Sequence, residues 1–168
     1  MLMEFQTNLS GLAIRSAVEQ DTSLILSFIR GLAVYEKMQD DVVATEEGLR
    51  ENLFGDRRVA EVLIGEWEGT PAAFALYFHN FSTFLGRPGL YLEDLFVTPE
   101  MRGKGIGKAM LSCLAHIAKE RRCGRFEWSV LDWNEPAIGF YRSLGALPMD
   151  GWTVFRVTGE ALDRLAGV

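Results

Sequence analysis

Leu90-Tyr-Leu-Glu-Asp-Leu-Phe-Val-Thr-Pro-Glu-Met-Arg-Gly-Lys-Gly-Ile-Gly-Lys108 joins an apolar strand, a glycine-rich loop and the opening of a helix. Leu90 to Val97 has strand character, and Pro99 closes it because proline has no amide to offer a ladder. Gly103, Gly105 and Gly107 let backbone N–H groups come close to a ligand and take positive φ. Beyond them Ile106, Met110, Leu111, Leu114, Ile117 and Ala118 fall on one face of a long helix. The first N–H groups of a helix have no acceptor within it and its dipole is positive there, so the loop is a ready anion site. Arg102, Lys104 and Lys108 add positive charge, and a guanidinium suits bidentate contact with phosphate.

Three phosphate-binding patterns compete for this loop. A Walker loop needs Gly-Lys-Ser/Thr, and Ala109 follows Lys108. The dinucleotide fingerprint needs a wider spacing than Gly103-x-Gly105-x-Gly107 and usually opens a domain. Arg-x-x-Gly-x-Gly, Arg102 to Gly107, is what remains. A glycine-rich turn with no ligand is the bland alternative, and the basic flank and preceding strand weigh against it.

Upstream, Leu12 to Ala17 reads as a strand, and Asp21 is placed to cap a helix through Leu24, Ile25, Phe28, Ile29 and Leu32. Tyr35-Glu36-Lys37 forms its polar exit, and a second helix is expected from Thr45 to Gly55. Ala60 to Trp67 and Pro71 to Phe81 flank a Glu68-Gly69 hairpin turn, with a second turn at Gly86 to Gly89. Downstream, Phe126 to Leu131 is another strand. Asn134 caps a short helix bearing Ile138, Tyr141 and Leu144, with Gly145 past its end. Trp152 to Val157 is expected as a last strand and Glu160 to Leu165 as a closing helical turn. The order is mixed α/β, a meander followed by strand–helix–strand units.

The chain has 168 residues, 48% hydrophobic and 24% charged, about one domain's worth of ordinary globular composition. Residues 1–10 read as a short N-terminal extension and 11–168 as one domain. Cys113 and Cys123 lie on one helix and its exit, neither a redox pair nor a metal knuckle, so a reducing, cytoplasmic compartment is expected. Met1 to Ser10 lacks basic residues and a long apolar run, which excludes a signal peptide there, and no stretch is apolar enough to span a membrane. A net charge of −6 without a basic stripe argues against nucleic acid as partner. His79 and His116 are isolated, so no metal is expected.

With Tyr35-Glu36, Tyr91-Leu-Glu-Asp94, Arg102 to Gly107, Leu131-Asp-Trp-Asn134, the Asn134-Glu-Pro-Ala-Ile-Gly-Phe-Tyr141 segment and Gly151-Trp152 taken together, the chain resembles the GNAT superfamily of N-acetyltransferases. Within it the likeness is to the spermidine/spermine and thialysine branch, from about Ile14 to the C-terminus. The resemblance implies an α/β (α+β) fold: a mixed, twisted central sheet splayed between its middle strands, with helices on both faces. It implies acetyl-CoA as co-substrate, its pantetheine arm bonded to the backbone of Leu95, Phe96 and Val97. Arg102, Gly103, Lys104, Gly105, Ile106, Gly107 and Lys108 would hold the pyrophosphate. Asn134, Glu135, Pro136, Ala137 and Tyr141 would also line the cofactor, Tyr35 and Glu36 would contact substrate, and two copies would form a homodimer.

Acetyl transfer needs a neutral amine. An alkylamine resembles lysine, so its deprotonation at pH 7 costs about 4.6 kcal/mol. Glu93, on the strand before the loop, is the expected proton acceptor and a substrate contact; an ordinary glutamate titrates near 4.3, so a water relay or a raised pKa is required. A strand-end salt bridge is the structural alternative. Asp94 points to the opposite face of a regular strand and should not share that role. Tyr141 is where the family has a tyrosine as general acid for the coenzyme A thiolate, against the alternative of a core aromatic beside Ile138 and Leu144. Trp128, Trp133 and Trp152 read as packing residues, and both cysteines as structural.

The polyamine enzymes of the branch carry an Asp and a Trp in the loop before the acidic strand, where this chain has Ser82 and Phe84. That departure favours a small lysine-like or diamine substrate, as in the thialysine N-ε-acetyltransferases. Polyamine N1-acetylation, an acyl-CoA-binding module without turnover, and acetylation of protein amines are the rival functions.

Overall fold

The computed structural model describes residues 4–168. Six strands form one sheet in chain order: β1 (Glu4–Phe5), β2 (Leu12–Ser16), β3 (Glu61–Trp67), β4 (Thr70–Ser82), β5 (Arg87–Val97) and β6 (Arg125–Trp128). Neighbours pair antiparallel except β5 and β6, which run parallel across the crossover helix between them. Glu68 and Gly69, at φ 49° and 78°, make the tight left-handed turn that joins β3 to β4.

Helices α1 (Thr22–Glu36) and α2 (Glu46–Phe54) cover one face. Ile25, Phe28 and Leu32 of α1 and Leu53 of α2 meet Val62, Ile64, Phe74 and Phe96 of the sheet in a buried cluster. Phe28 stacks on Phe74 at 5.4 Å and meets Phe96 edge-on at 6.2 Å. Gly31 sits in the interior of α1, where glycine costs about 1 kcal/mol relative to alanine. A Cβ there would come 2.9 Å from the Phe96 ring, so the missing methyl is what admits Phe96 beneath the helix. Helix α3 (Ile106–Glu120) covers the other face, its Met110 sulfur close over Gly65.

The contacts cluster into two compact units, one ending at Ser129 and the other running Val130–Val168. The second holds α4 (Glu135–Ser143) and α5 (Glu160–Ala166).

Several expectations need correction. Residues 4 and 5 of the expected N-terminal extension form β1 against Arg15 and Ile14, and residues 1–3 lie outside the described part. Asp21 stands at the N-terminus of α1 without capping it. Its carboxylate takes the Arg15 guanidinium at 2.7 Å and the Val18 amide at 2.8 Å, a charge-assisted pair stronger than a cap. The second hairpin turn lies at residues 83–86, so β5 starts at Arg87. Residues 152–157 form no strand, for β-prone apolar residues become one only where a second backbone answers their amides and carbonyls. No helix among the described residues is long and apolar enough to cross a membrane.

Candidate active site

The glycine-rich loop leaves β5 through a single 3-10 turn at Pro99–Met101 and enters α3. Gly103 and Gly105 take φ of 77° and 83°, a conformation that strains residues with a Cβ. Gly105 is the N-cap of α3 and no side chain caps the helix, so its first-turn amides meet no side-chain acceptor. Buried Ile106 anchors the helix start, while Arg102, Gly103, Lys104 and Gly105 are exposed. The Lys104 ammonium lies 5.1 Å from the Trp67 ring centre, and the Arg102 guanidinium 4.5 Å from that of Tyr35. Arg102 Nε donates to the Val97 carbonyl at 3.0 Å, taking up one acceptor of the strand segment expected to bond an extended ligand.

Gly89 to Leu92 of β5 pair with Arg125 to Trp128, where β6 stops, yet β5 continues to Val97. Glu93–Val97 therefore has β4 on one side and, among the described residues, no strand on the other: the sheet opens between β5 and β6, its last pair, beside the Leu95, Phe96 and Val97 expected to bond the pantetheine arm. A β-bulge lies at the same place. Leu92 faces Tyr77 and Asp94 faces the next residue, Leu76, so Glu93 is an inserted residue. The insertion resets the alternation, and Asp94 shares the α1 side of the sheet with Leu76 and Phe96. The expectation that Asp94 is turned away from Glu93's role on a regular strand is overturned, because the strand is not regular.

The Asp94 carboxyl is pushed up to about 6, chiefly by burial and then by the negative charges of Glu93 and Glu36. Burial also raises Glu36, in the last turn of α1. The end of that helix is fixed by Lys37 in a left-handed conformation, with the Met38 amide bonded to the Ala33 carbonyl. Asp94, expected on the opposite face, thus joins Glu36 and Glu93 in one acidic group, and only the bulge could have signalled it. Because Asp94's folded pKa lies above the ordinary value near 3.9, its ionised form is disfavoured in the fold. The penalty is absent below about pH 4 and complete once pH has risen through 6. Asp94→Asn is therefore expected to raise Tm more at pH 7.5 than at pH 4, read from melting curves at both; an equal shift at both would contradict it.

In the second unit the Asn134 side chain accepts from the Ala137 amide at 3.4 Å, capping α4 as expected, with Glu135 and Pro136 in its first turn. Gly145, at φ 86°, ends the helix: the Ala146 amide bonds the Tyr141 carbonyl and the Gly145 amide that of Arg142. Tyr141 is half-buried, and its ring lies 5.5 Å from that of Phe140.

Ser82 is buried, its hydroxyl taking the Leu85 amide at 3.3 Å within the turn, and Phe84 is 95% exposed. Trp128 packs on Phe126 at 4.9 Å, whereas Trp133 and Trp152 are 49% and 74% exposed, against the packing role expected for them. Cys113 and Cys123 are free thiols, and burial pushes Cys113 up to about 12, which makes it inert. An open cavity of about 480 Å³ beside α2 is lined by Glu19, Glu47, Arg50, Glu51, Phe54 and Gly55, none of them an expected site residue. Among the described residues no group of His, Cys, Asp or Glu could hold a metal.

Residues 28–146 match the family described as the acetyltransferase (GNAT) family. A thialysine N-ε-acetyltransferase of Sus scrofa is 42% identical over 95% of this chain and 99% of its own length. A human spermidine/spermine N(1)-acetyltransferase-like protein is 35% identical over 96% of this chain, which spans only 24% of that protein. The solved structure of an integron cassette protein from V. cholerae superposes with a TM-score of 0.79 at 28% identity, covering 94% of this chain and 99% of the other.

Proposed function

The chain belongs to the acetyltransferase (GNAT) family, and from that premise we propose that it acetylates the terminal amine of a small lysine-like or diamine substrate. It is an N-acetyltransferase, and the family's co-substrate is acetyl-CoA. The residues present fit that group: a loop of positive-φ glycines, an α3 terminus with no side-chain cap, and Arg102, Lys104 and Lys108 around it. The co-substrate brings an activated thioester. The amides of residues 103–108 would hold its diphosphate, and the open side of β5 at Leu95, Phe96 and Val97 would take its pantetheine arm as an added strand. The family resemblance assigns Asn134, Glu135, Pro136 and Ala137 to the same group.

The observation that carries the choice of acceptor is the acidic group at the bulge. Glu36 and Asp94 supply a negative field for an ammonium, and Glu93, exposed at the bulge, accepts its proton directly or through a water. With the amine neutral, the Tyr141 phenol would donate to the coenzyme's sulfur as the acetyl group passes to nitrogen, and the proton that the nitrogen then sheds would restore the phenol. Glu36 flanks the acceptor.

The likeness to the pig enzyme over nearly both full lengths supports a lysine-like acceptor. The positions where the polyamine enzymes carry Asp and Trp hold a buried turn-forming Ser82 and an exposed Phe84, which offer no acidic anchor to a long polycation. Polyamine N1-acetylation is the second reading, favoured by the human relative. The family match runs across the boundary between the two compact units, supporting one catalytic domain. The homodimer implied by the resemblance would have apolar surface to cover at Trp152, Val154 and Phe155, which are 74%, 84% and 90% exposed. Free thiols at both cysteines are consistent with the cytoplasm.

A thiol-release assay over thialysine, lysine, short diamines, spermidine and spermine tests the reading. The highest kcat/KM is expected with thialysine or lysine. A clear preference for spermidine would move the assignment to the polyamine branch, and coenzyme binding without thiol release from any amine would remove the enzymatic reading.

A further inference from the structure

Tyr35 is expected from sequence to face the amine, yet its ring lies beneath the cation of the phosphate loop. The Arg102 guanidinium carbon stands 4.5 Å from the Tyr35 ring centre and 5.6 Å from that of Phe96. Its Nε–H is spent on the Val97 carbonyl at 3.0 Å. An arginine has five N–H donors, so the four on Nη1 and Nη2 form the outer edge of a plane held by two rings and one backbone bond.

Both rings are themselves fixed. Phe96 is buried at 6% exposure, under the helix at the point where Gly31 leaves room for it. Tyr35 is in the last turn of α1, which Lys37 terminates in a left-handed conformation at φ 60°. A free arginine on an exposed loop would lose much rotamer freedom on gripping an anion, and one already stacked loses less, which shows as affinity.

We infer that Tyr35 is a positioning residue for the diphosphate of acetyl-CoA, aiming the Nη edge of Arg102, and not a contact that selects the amine. The inference rests on the loop holding a diphosphate, as proposed above. It couples the end of α1, which carries Glu36 of the acidic group, to the occupancy of the loop.

The test is calorimetric binding of CoA, with KM for both substrates, on the full chain and its variants. Tyr35→Phe keeps the ring and is expected to keep CoA affinity. Tyr35→Leu removes the ring and is expected to weaken CoA binding about fivefold, the size of a partly exposed cation–π contact. That loss should fall on acetyl-CoA KM and not on amine KM. Arg102→Gln should weaken binding further, and adding Tyr35→Leu to it should cost nothing more, because the ring then has no cation to hold.

Should Tyr35→Leu melt early, Tyr35→Trp carries the test, with affinity equal to or above that of the unaltered protein expected from a better cation–π face. The inference is overturned if Tyr35→Leu raises amine KM alone, if the Tyr35 and Arg102 effects add, or if Trp weakens CoA binding in folded protein. CoA failing to bind the unaltered protein overturns it together with the reading on which it rests, and that outcome is seen before any variant is made.

Discussion

Tyr141→Phe is expected to lower kcat by about 10²- to 10⁴-fold while CoA affinity is nearly kept, the range by which a positioned general acid speeds transfer. The thiol of coenzyme A resembles a cysteine thiol, titrating near 8.5, and a phenol near 10, so an O–H donor of this kind stabilises the sulfur as its charge grows. The ring and its packing against Phe140 survive the change, and so do the α4 turns that fix the backbone. A loss confined to kcat is the signature of an interaction made only in the transition state. Steady-state thiol release with CoA calorimetry reads both quantities. A kcat equal to that of the unaltered enzyme would remove Tyr141 from the chemistry and leave it a packing residue.

Glu93→Gln should lower kcat/KM for the amine by about 10²- to 10³-fold at neutral pH, again the scale of general base catalysis. The shape of the remaining activity is as informative as its size. Without a base, turnover depends on the fraction of amine already neutral in solution, which rises about tenfold per pH unit until the amine's own pKa near 10 is approached. The variant's rate is therefore expected to climb steeply between pH 7 and 9, where the unaltered enzyme changes little. Parallel profiles for the two proteins would assign the proton to another acceptor, and Asp94, across the bulge, is the next to substitute.

The segments legible in the sequence are those whose signals are local. The helical spacing of α1 and α3, the start of α2 at Thr45, the Asn134 cap and Gly145 stop of α4, and the glycines before Ile106 all act within a turn or two of chain. Trp152–Val157 departs from its expected strand for the converse reason: β-prone side chains mark a candidate, not whether a partner backbone exists to make it a strand. Asp21 departs from its expected cap because a capping side chain and an ion-pair side chain look alike until Arg15, on a different element, is brought beside it.

Amino-acid order alone determined that a strand, a cationic glycine loop and a helix follow one another here, and hence that anion-binding amides stand at the head of α3. Such a motif is assembled by interactions three or four residues apart, which are written in the chain itself. Tertiary structure alone decided that Glu93 is the inserted residue of a bulge, that Asp94 turns toward Glu36, and that Arg102 lies on Tyr35. Register between β4 and β5 and the seat of α1 on the sheet are set by packing across the whole core, through pairings of residues far apart in the chain. A one-residue shift there redirects every side chain that follows.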